Sequence, residues 1–229
     1  MKLLFDNFDM LAESPGGVEK LRKMVLRLAV QGKLVPQSPD EAPAMGLLKT
    51  IAEARGLAAR PVPPSAASPL PLPAGWTTCT LSDTVTILNG RAYKKHELLA
   101  KGTPVLRVGN LFTSKQWYYS DLVLEDNKYI DHGDLIYAWS ASFGPFIWSG
   151  ARVIYHYHIW KMLLHIDDER LKRYLYLFLL EKTAEIRDAG HGISMLHMTK
   201  EKMKKNKLLL PPIEEQPRIV PKVDSLMSL

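Results

Sequence analysis

The chain has 229 residues, 46% of them apolar and 24% charged, enough for a substantial buried core in one or two domains. Its one cysteine, Cys79, excludes an internal disulfide and a cysteine-built metal cluster. No apolar run reaches the roughly 18–20 residues of a spanning helix. The acids in MKLLFDNFDMLAE stand where a signal peptide has a basic flank, so a cytoplasmic location without membrane contact is expected. The net charge of +6 is compatible with a polyanionic partner and does not establish one.

In chain order, Gly17 to Gln31 places Val18, Leu21, Val25 and Leu28 on one face, which predicts an amphipathic helix stopped at Gly32. A second helix is predicted over Ala44 to Ala58, after Pro36, Pro39 and Pro43. Such a pair is usually a surface pair packed against a neighbour. Residues Arg60 to Pro73 hold six prolines and no period, the pattern of a semi-rigid linker. Beyond it, Thr77 to Leu88 alternates as one or two short strands, and Asn89-Gly90 reads as a turn delivering Arg91, Tyr93, Lys94 and Lys95 to a loop. Strands are expected at Pro104 to Val108 and around Leu122 to Leu124. Between them, Lys115 precedes Trp117, Tyr118 and Tyr119, a group that either stacks on bases or occupies half-buried strand positions.

The stretch GDLIYAWSASFGPFIWSGARVIYHYHIWK, Gly133 to Lys161, is the densest in aromatic, hydroxyl and imidazole groups. It predicts strands at Asp134 to Trp139, Pro145 to Trp148 and Val153 to Leu164. At least two of Trp139, Trp148 and Trp160 are expected in the core. On a continuous strand His156 and His158 would share a face, as a metal pair or, more commonly, as packed or hydrogen-bonding histidines. Asp168 to Arg187 reads as a helix burying Leu171, Tyr174, Leu175, Phe178 and Leu179. A loop with Gly190, His191 and Gly192 follows, and His197 leads to a lysine-rich helix capped by Thr199. The last segment, Ile213 to Leu229, reads as a helix with Glu214 and Glu215 in its first turn or, because Pro217 and Pro221 oppose helix, as one that starts only at Pro221.

The central GDLIYAWSASFGPFIWSG with YHYHIWK resembles the middle of a target-recognition domain in type I restriction-modification specificity subunits. Three further blocks resemble the same family in the same order: LRKMVLRLAVQGKLVPQSPDEAPA, LPAGWTTCTLSD and LPPIEEQPRIVPKVDSLM. The resemblance implies an α+β fold, with a mixed, curled β-sheet target-recognition domain, flanking helices and an N-terminal helical segment. It also implies a helical scaffold segment at 1–59, a Pro-rich linker at 60–74, a recognition domain at 75–210, and the start of a scaffold helix at 211–229 cut short of a second recognition domain. A half-sized subunit, acting as a homodimer, or a fragment of a longer one would each account for that. The implied function is non-catalytic recognition of double-stranded DNA, with methyltransferase and restriction subunits as partners. S-adenosylmethionine, ATP and Mg²⁺ would reside in those partners and none in this chain.

Such binding needs cations for phosphates and directional groups for base edges. Lys94, Lys95, Arg107, Lys115, Arg152, Lys200, Lys202, Lys204, Lys205 and Lys207 are the phosphate candidates. Arg91, Asn110, Ser140, Ser142, Tyr155, His156 and His158 are the base-reading candidates. The competing readings are a small metal-dependent nuclease using Asp121, Asp126 and Lys128, and a scaffold protein whose charge is incidental.

Overall fold

In a computed structural model, residues 16–59, 61, 71–189 and 199–228 are described. Most of the proline-rich segment and the loop holding Gly190, His191, Gly192 and His197 lie outside them. Helix α1, Gly17–Val30, buries Leu21, Val25, Leu26, Ala29 and Val30. At its end Gly32 adopts φ +66°, and the amides of Gly32 and Lys33 bond back to Ala29 and Leu28 at 3.3 and 2.9 Å. Helix α2, Ala44–Ala54, stops four residues before the expected Ala58. Gly56 takes the left-handed conformation there (φ +66°), and the Leu57 amide bonds to the Ala52 carbonyl.

Strand β1, Thr77–Thr80, leads through a one-turn helix α3, Leu81–Thr84, into β2, Val85–Asn89. Next come β3, Thr103–Leu106, a short helix α4, Val108–Phe112, then β4, Tyr118–Ser120, and β5, Tyr129–Ile130. The hairpin is β6, Leu135–Trp139, and β7, Phe143–Ile147, followed by β8, Val153–Tyr155, and β9, Ile159–Leu164. The long helix α5, Glu169–Ala189, precedes α6, Lys200–Lys204, β10, Lys207–Leu210, and α7, Gln216–Met227.

One four-stranded sheet has the order β2-β9-β6-β7 and the other β4-β3-β8-β5, while β1 pairs with β10 alone. Within the second sheet β3 and β8 run parallel. The α+β class with open, curled sheets is therefore the architecture of this chain. A large core joins α1, α2, β1, β10, α5 and α7 to one face of the first sheet, through residues such as Val25, Ile51, Cys79, Tyr137, Leu175 and Val223. A smaller core of Leu106, Ile130, Ile136, Val153, Tyr155 and Ile159 lies between the two four-stranded sheets. Beside it, Lys161 of β9 is buried, pairs with Asp134 and donates to the Tyr129 carbonyl at 3.1 Å, so one cation links both sheets.

Four local expectations change. The strand expected around Leu122 to Leu124 lies earlier, at β4, because Tyr118 and Tyr119 pair with Val105 and Pro104; Val123 is 93% exposed. The strand expected to run to Val108 ends at Leu106, and Val108 begins α4 instead, with Oδ1 of Asn110 in that helix accepting the Arg107 amide. The strand expected over Val153 to Leu164 is broken at His156–His158, because its two halves belong to different sheets. Finally, α7 starts before Pro221, with Pro217 in its first turn, where no amide is needed. Pro221 inside the helix has no amide to give the Pro217 carbonyl. Its cost of about 3 kcal/mol is offset by burial of Ile219, Val220 and Val223 in the large core.

Two contacts anchor the ends of the domain to each other. The Trp76 indole donates to Glu215 Oε2 at 2.9 Å in a buried position, and Gln37 donates to Oε1 of the same carboxylate at 3.3 Å. Tyr174 of α5, buried and edge-on to Trp76, donates its hydroxyl to the Leu209 carbonyl at 2.6 Å.

Gly90 and Gly46 predict opposite responses to the same change. A Cβ on Gly90 would lie 2.4 Å from the carbonyl oxygens of Tyr155 and His156, whereas one on Gly46 of α2 would meet nothing within 4 Å. Gly90→Ala should destabilise by about 1–3 kcal/mol or more, and Gly46→Ala should stabilise by about 0.5–1 kcal/mol, in urea unfolding. Equal stabilities would show that these strands do not approach so closely.

Glu181 of α5 gives a pH dependence. Burial pushes its carboxyl up to about 7, against the pull of Lys182 at 3.4 Å. The folded state therefore holds the proton more tightly than the unfolded chain, whose value is near 4.5, and stability from this group falls as pH rises from about 4.5 to 7. Glu181→Gln should remove that decline, on the order of 3 kcal/mol, with little effect below pH 4.5. Parallel stability-versus-pH curves for the two proteins would count against it.

Candidate nucleic-acid interface

Four chain segments meet where the two sheets adjoin. Parallel pairing sets Leu106 of β3 beside Tyr155 of β8, and the His156 amide donates to the Leu106 carbonyl at 2.9 Å, so Arg107 and His156 emerge side by side. The chain leaving β2 crosses them: the Arg91 amide donates to the Tyr155 carbonyl at 3.1 Å, and the Tyr157 amide donates to the Arg91 carbonyl at 3.0 Å. Gly90 is needed for that approach, because its flanking carbonyls leave no room for a side chain. From β6, the Trp139 amide donates to the His158 carbonyl at 2.9 Å and its indole to the Tyr157 carbonyl at 3.1 Å.

The turn His156-Tyr157-His158 is thus tied to three other segments and presents a close-packed aromatic surface. Ring centroids of His156 and His158 lie 5.0 Å apart, those of Tyr157 and His158 4.0 Å, and those of Trp139 and His158 5.0 Å. Trp139 stacks in turn on the buried Trp160 at 5.2 Å. Tyr157 is the outermost ring, 39% exposed.

Charge around the turn is uneven. Arg91 pairs with Glu97 at 2.8 Å and lies over the Tyr93 ring. The Lys94 amide and then Arg91 hold the Glu97 carboxyl below its usual range. Arg107 lies 4.2 Å over the Tyr118 ring, and its Nε is buried without an acceptor among the described residues. Burial, then the charges of His158 and Arg107, push His156 down to about 4, and burial also lowers His158. His156 is therefore neutral at pH 7, able to donate and to accept.

The structure brings together Arg91, Arg107, His156 and His158, with Ser140 and Ser142 at the adjoining β6–β7 tip, where the Ser140 amide meets the Ser142 carbonyl at 3.3 Å. Lys94 and Lys95 are exposed close to Arg91, and Lys115 is exposed in the loop before β4. Other candidates are placed elsewhere or are engaged. Tyr155 is fully buried and donates its hydroxyl to the Asn127 carbonyl at 2.8 Å, so it presents no group at the surface. Asn110 spends both ends of its amide on the loop it closes, accepting from the Arg107 amide and donating to the Gln116 carbonyl at 2.8 Å. Arg152 is paired with Asp126 and Asp131, each at 2.8 Å.

Lys200, Lys202, Lys204, Lys205 and Lys207 sit beside α3, where Asn206 accepts from the Leu81 amide and Lys207 pairs with Thr80. They are thus at the opposite end of β2 from the turn, roughly 16 Å away along the strand. Of the residues named for a nuclease, Asp126 holds Arg152, and Lys128 donates to the Asn89 carbonyl at 2.9 Å. The two histidines do not line one strand face as a metal pair would, because the strand turns between them.

Trp139 and Tyr157 are part of this surface and are not among the candidates read from the sequence, whereas Tyr118 belongs to the aromatic group read there as either base-stacking or half-buried. Against the expectation that at least two of the three tryptophans are core residues, Trp139 and Trp148 are half-buried and only Trp160 is buried. The Tyr-His-Tyr-His alternation is the available signal for Tyr157.

The sequence profile of the type I restriction modification DNA specificity domain matches residues 73–228. The chain belongs to that family. The EcoAI specificity subunit of Escherichia coli is 36% identical over 116 residues, 46% of this chain and 20% of that one. The EcoEI specificity subunit of the same organism is 43% identical over 81 residues, 31% of this chain and 14% of that one. Among solved structures, the HsdS subunit of Thermoanaerobacter tengcongensis has a TM-score of 0.52 at 20% identity, covering 92% of this chain and 49% of its own. A structure from a study of type I restriction-modification complex assembly has a TM-score of 0.55 at 18% identity, covering 92% and 48%. The chain therefore spans about half the length of these structures and a fifth or less of the two curated relatives. In this specificity-domain chain, the turn and Trp139 stand on the edge of the shared fold where β2, β6, β8 and β9 end or begin.

The packing of the turn predicts an NMR titration in which His156 has a midpoint near 4. Arg107→Gln should raise that midpoint, because a nearby positive charge is removed. A midpoint near 6.5, unchanged in the variant, would show that the turn is open to solvent and remote from Arg107.

Proposed function

We propose that this chain is the sequence-reading component, in whole or in part, of a type I restriction-modification complex, with the turn His156–His158 as the centre of its DNA-facing surface. The convergence of Arg91, Arg107, two neutral imidazoles, Tyr157 and Trp139 on one backbone-tied turn carries this reading. Neutral histidines and hydroxyls read base edges by direction, while Lys94, Lys95 and Lys115 supply flexible charge for phosphates. On this reading the chain catalyses nothing. It selects a DNA half-site, and methyltransferase and restriction subunits act there with their own S-adenosylmethionine, ATP and Mg²⁺, in the cytoplasm. One structural neighbour was solved to explain complex assembly in such a system, and α1, α5 and α7, packed together away from the turn, are the surface proposed for partner subunits. If the chain acts at half size, two copies would read a twofold-related pair of half-sites.

The test is selection of duplexes from a random library by the full chain, followed by affinity measurements between 50 and 200 mM salt. Affinity should fall log-linearly with salt, and Lys94→Glu with Lys95→Glu should flatten the slope by about two while leaving preference intact. Tyr157→Ala should change preference more than the slope. Lys204→Glu with Lys205→Glu, at the far end of the sheet, should have the smaller effect on both. Absence of binding at low salt, or cleavage of DNA by the chain with Mg²⁺ alone, would overturn the reading.

A further inference from the structure

Arg107, a phosphate candidate by sequence, is the cation of this surface best built for a base. We infer that Arg107 reads a guanine through the two acceptors of its major-groove edge, O6 and N7. The inference rests on the DNA-binding reading above and gives it a residue and a base.

Among the described residues, Arg91 is neutralised by Glu97 and Arg152 by Asp126 and Asp131, whereas no carboxylate pairs with Arg107. Its guanidinium is instead held over the Tyr118 ring at 4.2 Å. The backbone dictates that stack. Val105 pairs directly with Tyr118 across β3 and β4, so Arg107, two residues on, projects from the same side and covers the ring diagonally. Asn110 fixes the segment from both ends, through the Arg107 amide at 3.1 Å and the Gln116 carbonyl at 2.8 Å. The Nε edge is buried against the protein without an acceptor, leaving the outer fork of the guanidinium as its free hydrogen-bonding face.

A phosphate contact needs only charge on a mobile stem, which the exposed lysines provide. A planar fork, pre-oriented by a ring, suits two acceptors lying side by side, and guanine O6 and N7 are the major-groove pair with that arrangement. His156 beside it is uncharged at neutral pH and adds no second positive charge to draw a phosphate in its place.

The experiment uses the full wild-type chain and its selected duplex, with each guanine replaced in turn by 7-deazaguanine, which lacks N7. One guanine should prove sensitive, with a loss of about ten-fold. Arg107→Lys keeps the charge and loses the fork. It should bind with an unchanged salt slope, accept other bases at that position and be indifferent to the deaza substitution. Tyr118→Leu should weaken the same preference, because Tyr118 acts as a positioning residue. A deaza scan silent at every guanine would overturn the inference without requiring any variant to fold. Retention of the same guanine preference by Arg107→Lys would also overturn it. A selection that enriches no motif would instead sink the DNA-binding reading itself, so the two failures are distinguishable.

Discussion

One chain segment belongs to two sheets, and the site exists because of that. Tyr155 closes β8 in one sheet and Ile159 opens β9 in the other, and both side chains are buried in the same small core. Burying both requires the intervening His156-Tyr157-His158 to turn outside the apolar layer. The exposed turn would be loose without partners, since three residues of backbone must be ordered at roughly 1–2 kcal/mol each. Four backbone amides tie it to its surroundings: those of Arg91, His156, Tyr157 and Trp139. Each contributes about 1 kcal/mol net, and the Trp139–Trp160 stack with the edge-on contact of His158 against Trp139 supplies the remainder.

The same packing sets the electrical character of the surface. Burial keeps His156 and His158 uncharged near neutrality, so the charge beside the turn comes from arginines and stays constant across the physiological range. Glu97 cancels Arg91 at short range, and at the other end of β8 Asp126 and Asp131 cancel Arg152. The result is a directional surface with modest net charge, flanked by exposed lysines. That division matches the separation of base reading from phosphate attraction, in which long-range pull and short-range choice reside in different side chains.

Much of this is legible in the sequence, and the exceptions have a common cause. The helices announce themselves by period, and Gly32 by its place after the last apolar residue; α5 buries all five residues expected of it. The richness of Gly133 to Lys161 marks the right stretch, and the four family blocks point to the fold class. Val153 to Leu164 reads as one strand because every residue in it favours extended backbone; the break arises from pairing with strands some 50 and 70 residues earlier, which no local pattern encodes. Tyr155 escapes sequence reasoning for the same reason, being on the buried side of the last residue before the break. Arg107 and Asn110 look interchangeable with other polar loop residues until β3 and β4 are paired, after which one has a ring beneath it and the other a loop to close.

The position of the large core explains how such a surface can diverge without loss of fold. That core gathers α1, α2, α5 and α7 on one face of the main sheet, with Trp76 and Glu215 locking the ends. Its demands are an apolar pattern and a few buried hydrogen bonds, which tolerate wide substitution, in keeping with a shared fold at 18–20% identity. Arg107, Tyr157 and His158 touch it little, so they can change with small structural cost. Trp139 differs, since it packs against the large core and stacks on Trp160, which belongs to that core. A change at Trp139 therefore reaches the scaffold as well as the turn, and the freedom to alter the proposed DNA-facing surface is greatest one ring further out, at Tyr157.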